Sequence, residues 1–109
     1  MKFPLDATIA SAKVASYLLT WRPENDKSQF LAQAGYTVAD AGRLTDDMRA
    51  QLLPLEAVFE ETTEYGDKFR ITGTLTGPNG RRLSVVSIWM IERTGGATKF
   101  ITLYPAKEN

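Results

Sequence analysis

The spacing of apolar residues changes once along the chain, near Pro54. Before that point apolar residues recur at three- and four-residue intervals, which is the pattern of a helix with one buried face. After it they alternate with polar residues, which is the pattern of a strand with one buried face. The sequence therefore predicts a helical layer over residues 1–54 and an antiparallel sheet over residues 55–109.

Three helices are predicted in the first half of the chain. They cover Ser11–Thr20, Lys27–Ala34 and Thr45–Leu53. Gly35 suits the left-handed position that follows a helix, and Pro54 stops the third helix. Two or three N-terminal helices are therefore available to cover a sheet.

Four strands are predicted in the second half: Ala57–Thr63, Phe69–Leu75, Leu83–Glu92 and Thr98–Tyr104. Short turns that contain glycine separate them, so consecutive strands are expected to pair as neighbours. The third strand is apolar on both faces over Val85–Ile91, which is typical of a central strand. The predicted fold class is α+β: a single domain, residues 1–109, in which two or three helices pack on one face of a four-stranded antiparallel meander.

Strict alternation assigns the side chains of the outer strands to the two faces of the sheet. In the last strand it separates two sets of residues: Phe100, Thr102 and Tyr104 on one face, and Lys99, Ile101 and Leu103 on the other. In the first strand it puts Glu60 and Glu64 on one face and Glu61 on the other. This arrangement does not favour a carboxylate pair for metal binding or glycoside hydrolysis.

The composition excludes several kinds of chemistry. With no cysteine and no histidine, the chain has no disulfide, no thiolate nucleophile and no imidazole for acid–base catalysis or metal binding. Thirteen basic and thirteen acidic residues give a net charge of zero, so no overall field attracts nucleic acid or an anionic membrane. The N-terminal residues do not resemble a signal peptide, and no apolar segment is long enough to span a membrane. The sequence predicts a cytoplasmic protein without metal or cofactor.

Several fragments, in this order, resemble a known family. They are the run KSQFLAQAGY at residues 27–36, the turn Gly77–Arg81, the strand around Trp89 and the terminal run Ile101–Pro105. Together they resemble a family of small bacterial domains of unknown function, which implies a fold but no activity. Helices followed by a meander that ends in Thr-x-Tyr-Pro are more distantly similar to the barnase/EndoU/RelE group of small ribonuclease toxins. Many members of that group use a histidine base, so only the RelE-like variant, which relies on Lys, Arg and Tyr, stays chemically open.

The ribonuclease resemblance directs attention to cations and a phenol in the sheet half. A ribonuclease without histidine must neutralise a phosphorane with Arg or Lys beside a phenol or a carboxylate. The candidate catalytic residues are Arg70, Arg81, Lys99 and Tyr104. The alternative for Arg70 and Lys99 is an ordinary solvent-facing strand position, and the alternative for Tyr104 is burial as a core aromatic.

Three further residues are candidates for binding a partner. Trp21 lies at the end of the first predicted helix, where it would be either exposed as a binding hot spot or partly buried. Lys27 lies in the first turn of the second predicted helix, where its positive charge is unfavourable for the helix dipole. This placement is explained either by a function in binding or by chance. Arg82 follows Arg81 directly after the Asn-Gly turn, where the pair could meet phosphate or keep a strand edge soluble.

Two functions from different classes are compatible with these residues. The favoured one is a small non-catalytic protein-interaction module, such as an inhibitor or accessory protein, that docks a protein partner through the open sheet face or an edge strand. The alternative is a RelE-like ribonuclease toxin that acts on RNA. A continuous positive cleft holding Arg70, Lys99 and Tyr104 would favour RNA, whereas a face of mixed charge would favour a protein partner.

Overall fold

The computed structural model describes residues 1–10, 14–20, 23 and 27–106, and it has the predicted α+β fold. The helical elements come first: a π-helical turn (Val14–Leu18), helix α1 (Ser28–Ala32), a 3₁₀ turn (Val38–Asp40) and helix α2 (Ala41–Gln51). The strands follow: β1 (Val58–Thr62), β2 (Gly66–Thr76), β3 (Arg82–Glu92) and β4 (Thr98–Pro105). No helix in these ranges is long and apolar enough to cross a membrane.

The four strands form one antiparallel sheet in the order β1-β2-β3-β4, which confirms the predicted meander. Its register aligns residues of β2, β3 and β4 in rows across the sheet. Three of these rows are Lys68–Met90–Lys99, Arg70–Ile88–Thr102 and Thr72–Val86–Tyr104. One parallel bridge, between Thr8 and Lys99, joins the N-terminal segment to the outer edge of β4.

The helices cover one face of the sheet and bury the main core there. Trp89 of β3 is fully buried at its centre, with its ring edge-on to Phe100 at 5.3 Å between centroids. Its indole Nε1–H donates to Ser87 Oγ at 2.8 Å, and that hydroxyl donates to Ile71 O at 3.0 Å. Among the described residues, every buried polar atom of a side chain has a hydrogen-bond partner, as a dry core requires.

The N-terminal segment packs on the sheet although the sequence predicts no element there. Phe3 is buried and its ring meets that of Phe69 edge-on, 5.4 Å away. Arg49 of α2 donates from Nη1 to the carbonyl oxygens of Leu5 and Ala7, at 2.7 and 2.8 Å. One guanidinium thus holds irregular backbone against the helical layer.

The predicted start of the third helix, Thr45, was wrong by four residues, because α2 begins at Ala41. The 3₁₀ turn that leads into α2 has a capping box, in which Asp40 Oδ2 accepts the backbone N–H of Thr37 at 2.8 Å. That hydrogen bond lowers the pKa of Asp40 below its ordinary value. The cap lies before the apolar stripe of the helix, so apolar spacing alone placed the start too late.

The first two predicted helices end earlier in the structure, at Leu18 and Ala32, than in the prediction. The described part of the first is the π-helical turn, closed by a hydrogen bond from Leu19 N to Val14 O at 3.2 Å. The first residue predicted for this helix, Ser11, lies outside the described residues. The second is α1, which ends at Ala32 rather than Ala34. Gly35 follows with a φ of +93°, the left-handed conformation that was predicted for it.

The prediction that side chains alternate strictly between the two faces along the last strand was also wrong. A register shift lies between Ile88 and Trp89, which pair with Thr102 and Phe100, so Ile101 is an extra residue in β4. Phe100 therefore faces the core beside Trp89, while Thr102 continues the opposite face. A β-bulge shifts the alternation of side chains by one residue, and the sequence pattern does not reveal it.

Candidate functional site: the open face of the sheet

The sheet face that the helices leave uncovered, here called the open face, has an apolar floor. Val86, Ile88 and Met90 alternate with the core residues of β3 and belong to this face. Each is only 7–9% exposed, although none belongs to the core cluster beneath the helices. Half-buried Ile101, the extra residue of β4, lines clefts together with Ile88 and Met90. A strip of apolar side chains therefore runs along the middle of the open face.

Three of the cations that flank this floor are each paired with a glutamate. Arg70 Nη1 lies 2.9 Å from Glu60 Oε1, and Lys68 Nζ lies 3.4 Å from Glu61 Oε1. On the other side, Lys99 Nζ lies 3.3 Å from Glu92 Oε2. The open face therefore carries mixed charge, and the charges of these three cations are compensated.

A second β-bulge brings the two glutamates of β1 to the same face. The register of β1 against β2 shifts between Phe59 and Glu61, so Glu60 is the extra residue. Both carboxylates then reach cations of β2 on the open face. The prediction that Glu60 and Glu61 point to opposite faces was therefore wrong. Within the described ranges, no three carboxylates come close enough together to hold a metal ion.

Two clefts open on this face. One, of about 360 Å³, lies beside the Lys99–Glu92 pair and is walled by Tyr65, which is 70% exposed. The other, of about 270 Å³, lies between the glutamates of β1 and Tyr104. Tyr104 is 38% exposed here, so the alternative to its candidate catalytic role, burial as a core aromatic, was wrong.

The four residues predicted for a ribonuclease site are only partly brought together. Arg70, Lys99 and Tyr104 share the open face, in three successive rows of the register. Arg81 lies before the start of β3, nine residues from Met90, which is the partner of Lys99. At the rise of an extended strand this separation is about 30 Å. Arg81 and its neighbour Arg82 are both exposed and line a different cleft.

The other predicted binding residues have different outcomes. Lys27 precedes α1 instead of lying in its first turn, and its Nζ donates to Thr102 Oγ1 at 2.7 Å. It therefore reaches β4 from the helical layer. Trp21 lies outside the described residues.

Among the residues of the three ion pairs on the open face, sequence reasoning missed Lys68 and Glu92. Lys68 lies two residues before Arg70 on β2, and this spacing indicates that the two side chains lie on the same face of the sheet. Its partner Glu61 could not be assigned, because the bulge in β1 reverses the alternation at that point.

The fold and the site together define a class of protein: a small α+β domain in which helices cover one face of an antiparallel meander and leave a charge-compensated face with an apolar floor. Within that class, the chain belongs to the family described as Domain of unknown function (DUF6883), which it matches over residues 5–107. This match confirms the predicted membership of a family of unknown function. No curated protein and no solved structure is significantly similar to the chain. The more distant resemblance to ribonuclease toxins stays a prediction.

Proposed function

We propose that the protein is a non-catalytic interaction module that docks a protein partner on its open face. The observation that carries this proposal is the apolar floor of Val86, Ile88 and Met90 beneath three cation–glutamate pairs. The lack of cysteine suits a reducing compartment, and we place the interaction in the cytoplasm.

The arrangement has the features of a protein interface. Such interfaces combine an apolar centre with a polar, hydrated rim. Here the apolar centre is the floor, and the rim is formed by glutamates paired with Lys68, Arg70 and Lys99. Partly exposed ion pairs contribute only about 0–1 kcal/mol to stability, so a partner can rearrange them at little cost. Exposed Tyr65 at one end of the floor is the kind of residue that dominates binding energy in protein complexes.

The ribonuclease alternative receives less support from the same geometry. Cleavage of RNA needs cations that are available to a phosphorane when negative charge develops on it. Arg70 and Lys99 already neutralise carboxylates at 2.9 and 3.3 Å, and Arg81 lies before the start of β3, away from Lys99.

Site-specific photo-crosslinking in the native host tests the proposal. A photoreactive residue replaces either Thr72, exposed on the open face, or Asp46, exposed on α2. We expect one defined protein to cross-link from position 72 and not from position 46. Equal cross-linking from both positions would contradict docking on the open face.

The floor itself is tested by affinity for the partner found in that experiment. Ile101→Asp puts a charge into the floor, and Val38→Asp, at a position that is 58% exposed outside the sheet, is the matched control. We expect Ile101→Asp to weaken binding at least tenfold, the effect of about 1.4 kcal/mol. Thermal unfolding of both variants reports whether they remain folded. Equal affinities of the two folded variants for the partner would contradict docking on the apolar floor.

A growth assay separates the two functions. If the chain is an interaction module, its expression in a bacterial host leaves growth unaffected or changes it without RNA cleavage. Growth arrest accompanied by RNA cleavage, with both relieved by the combined change Arg70→Ala and Tyr104→Phe, would instead establish the ribonuclease alternative.

A further inference from the structure

A separate cleft of about 420 Å³ lies between α1 and the junction of β3 with β4. Two adjacent arginines, Arg81 and Arg82, line it together with the ring of Phe30. Gln33, Ser84 and Pro105 also line it. Its volume falls in the range of about 300–1,000 Å³ that is usual for small-molecule sites.

The charge of this cleft differs from that of the open face. Arg81 and Arg82 are exposed, and their guanidinium groups make no ion pair or hydrogen bond with any residue that the structure describes. No acidic side chain is among the described residues that line the cleft. Because the whole chain has zero net charge, this pair is a local concentration of positive charge.

The backbone that carries the arginines is fixed relative to α1. Asn79 Oδ1 accepts the backbone N–H of Arg81 at 2.9 Å, and Asn79 Nδ2 donates to Gln33 O at 3.1 Å. The backbone N–H of Asn79 also donates to Ala34 O at 3.2 Å. The turn between β2 and β3 is therefore tied to the end of α1, which holds both walls of the cleft in place before any ligand arrives.

We propose that this cleft binds a small phosphate monoester. Two guanidinium groups carry two positive charges, which match the charge of about −1.5 to −2 on a phosphate monoester at neutral pH. Each planar guanidinium can donate two parallel hydrogen bonds to phosphate oxygens. The amide of Gln33 and the hydroxyl of Ser84 supply neutral hydrogen-bonding groups, and Phe30 offers a surface for a flat organic group on the ester.

Titration of the isotope-labelled full chain with phenyl phosphate, followed by NMR at an ionic strength of about 0.15 M, where the Debye length is about 8 Å, tests this site. We expect saturable shifts centred on the backbone amides of Phe30, Gln33 and Arg81–Ser84. Shifts that never saturate, or that centre on the open face, would overturn the proposal. Phenol and benzoate are the comparison ligands: binding of either as tight as that of phenyl phosphate would show that the site does not select the phosphate dianion.

Charge variants separate a built site from diffuse attraction. Arg81→Ala combined with Arg82→Ala should weaken binding by roughly 100-fold, about tenfold for each guanidinium group removed. The matched control, Lys2→Gln with Arg43→Gln, removes two cations elsewhere and should leave the affinity within about twofold, because charges beyond a Debye length are largely screened. Equal weakening in both pairs would refute the site. If the alanine pair lowers stability, Arg81→Lys with Arg82→Lys keeps the charge, and unchanged affinity there would refute bidentate recognition.

Discussion

At the scale of single residues, Gly77 marks a very close approach between the sheet and the helical layer. A Cβ atom added to it would lie 2.2 Å from Ala34 O and 2.5 Å from Ala34 Cβ. Backbone cannot give way as a flexible side chain does, so this position needs glycine for space. Gly80, in the same turn, has open space around it but a φ of +85°. Gly42 on α2 has neither constraint.

Alanine at these three glycines should therefore give three different results. Gly77→Ala should destabilise by about 1–3 kcal/mol or more, because it overpacks a fixed contact. Gly80→Ala should cost about 1–2 kcal/mol from left-handed backbone strain alone. Gly42→Ala should stabilise by up to about 1 kcal/mol, because alanine is the better helix former. Urea unfolding of the three variants measures the order, and a neutral Gly77→Ala would show that the turn is not packed on Ala34.

Tyr36 is a buried phenol whose hydroxyl donates to Asp47 Oδ2 at 2.5 Å. Burial, followed by the hydrogen bond and the charge of Asp47, raises the pKa of Tyr36 well above that of a free tyrosine. Asp47 also pairs with Arg43, 3.1 Å away. The phenol is therefore held in its neutral form by the fold.

Replacement of Tyr36 by Phe should lower the free energy of unfolding at neutral pH by about 1.5–3 kcal/mol, the value of a hydrogen bond to a charged group. The sign of the pH effect follows from the raised pKa. The contribution of the phenol is complete below about pH 10, where a tyrosine in the unfolded chain begins to ionise, and is lost as the pH rises toward the higher pKa of the folded state. Unfolding curves across the alkaline range should converge for the two proteins. A constant gap would contradict this account.

At the scale of elements, the side chain of Gln51, at the end of α2, makes the hydrogen bonds to β2 that the backbone of a neighbouring strand would otherwise make. Its Oε1 accepts the N–H of Thr76 at 2.6 Å, and its Nε2 donates to Thr76 O at 3.1 Å. Strand β1 pairs with β2 only as far as Arg70, so the outer edge of β2 extends beyond it. One amide side chain thus satisfies the last residue of β2 on that edge.

Gln51→Ala should cost about 1–3 kcal/mol, since it removes the hydrogen bond to the N–H of Thr76 and leaves the carbonyl of Thr76 only the longer hydrogen bond from the hydroxyl of Tyr36, at 3.4 Å. Gln51→Glu is the matched variant, because a carboxylate still accepts the N–H of Thr76 but no longer donates to its carbonyl. Hydrogen exchange at the Thr76 amide should therefore be fast in the first variant and slow in the second. Fast exchange in both variants would contradict this account, because it would show that the hydrogen bond from the Thr76 amide to residue 51 is not what slows exchange in the original protein.

The sequence predicted the strands well and the helices less well, for physical reasons. The alternation of β2 and the apolar run of β3 depend only on burial, and both strands lie within a few residues of their predicted bounds. The start of α2 depends on the hydrogen bonds of a capping box at Thr37 and Asp40, which precedes the apolar stripe.

The candidate site was predictable from the sequence in β2 and β3, which pair without a bulge, and not in β1 and β4, which contain one each. The parity of β2 and β3 correctly assigns Arg70 to the face opposite Trp89. The extra residues Glu60 and Ile101 reverse the alternation of side chains between the two faces in the edge strands β1 and β4. No residue type marks these two positions in the sequence. The ion pairs that compensate the open face could therefore not be foreseen from spacing.

At the scale of the whole molecule, the glutamates of β1 set the electrostatic character of one surface rather than the stability of the fold. Exposed pairs of this kind contribute about 0–1 kcal/mol each. The pairs Arg70–Glu60 and Lys68–Glu61 nevertheless keep two cations on the open face compensated. Without the two glutamates, thirteen basic residues would face eleven acidic ones, a net charge of +2.

Glu60→Gln combined with Glu61→Gln should therefore leave stability within about 1 kcal/mol of the original, and create affinity for polyanions. Retention on immobilised heparin, eluted with salt, measures that affinity. The matched control, Asp6→Asn with Asp46→Asn, gives the same net charge from exposed positions away from the open face. Equal retention of the two variants would mean that net charge, and not the open face, controls binding to polyanions.

The bridge between Thr8 and the start of β4 has a consequence for biosynthesis. The N–H of Thr8 donates to Thr98 O and its carbonyl accepts from Phe100 N, both at 2.8 Å. Because β4 follows Thr8 in the chain, the N-terminal segment cannot make this bridge until β4 has been synthesised and has left the ribosomal exit tunnel. Until β4 has emerged, the apolar side chains of Phe3 and Trp89 lack part of the core that buries them in the folded protein and are accessible to chaperones that recognise nascent polypeptides.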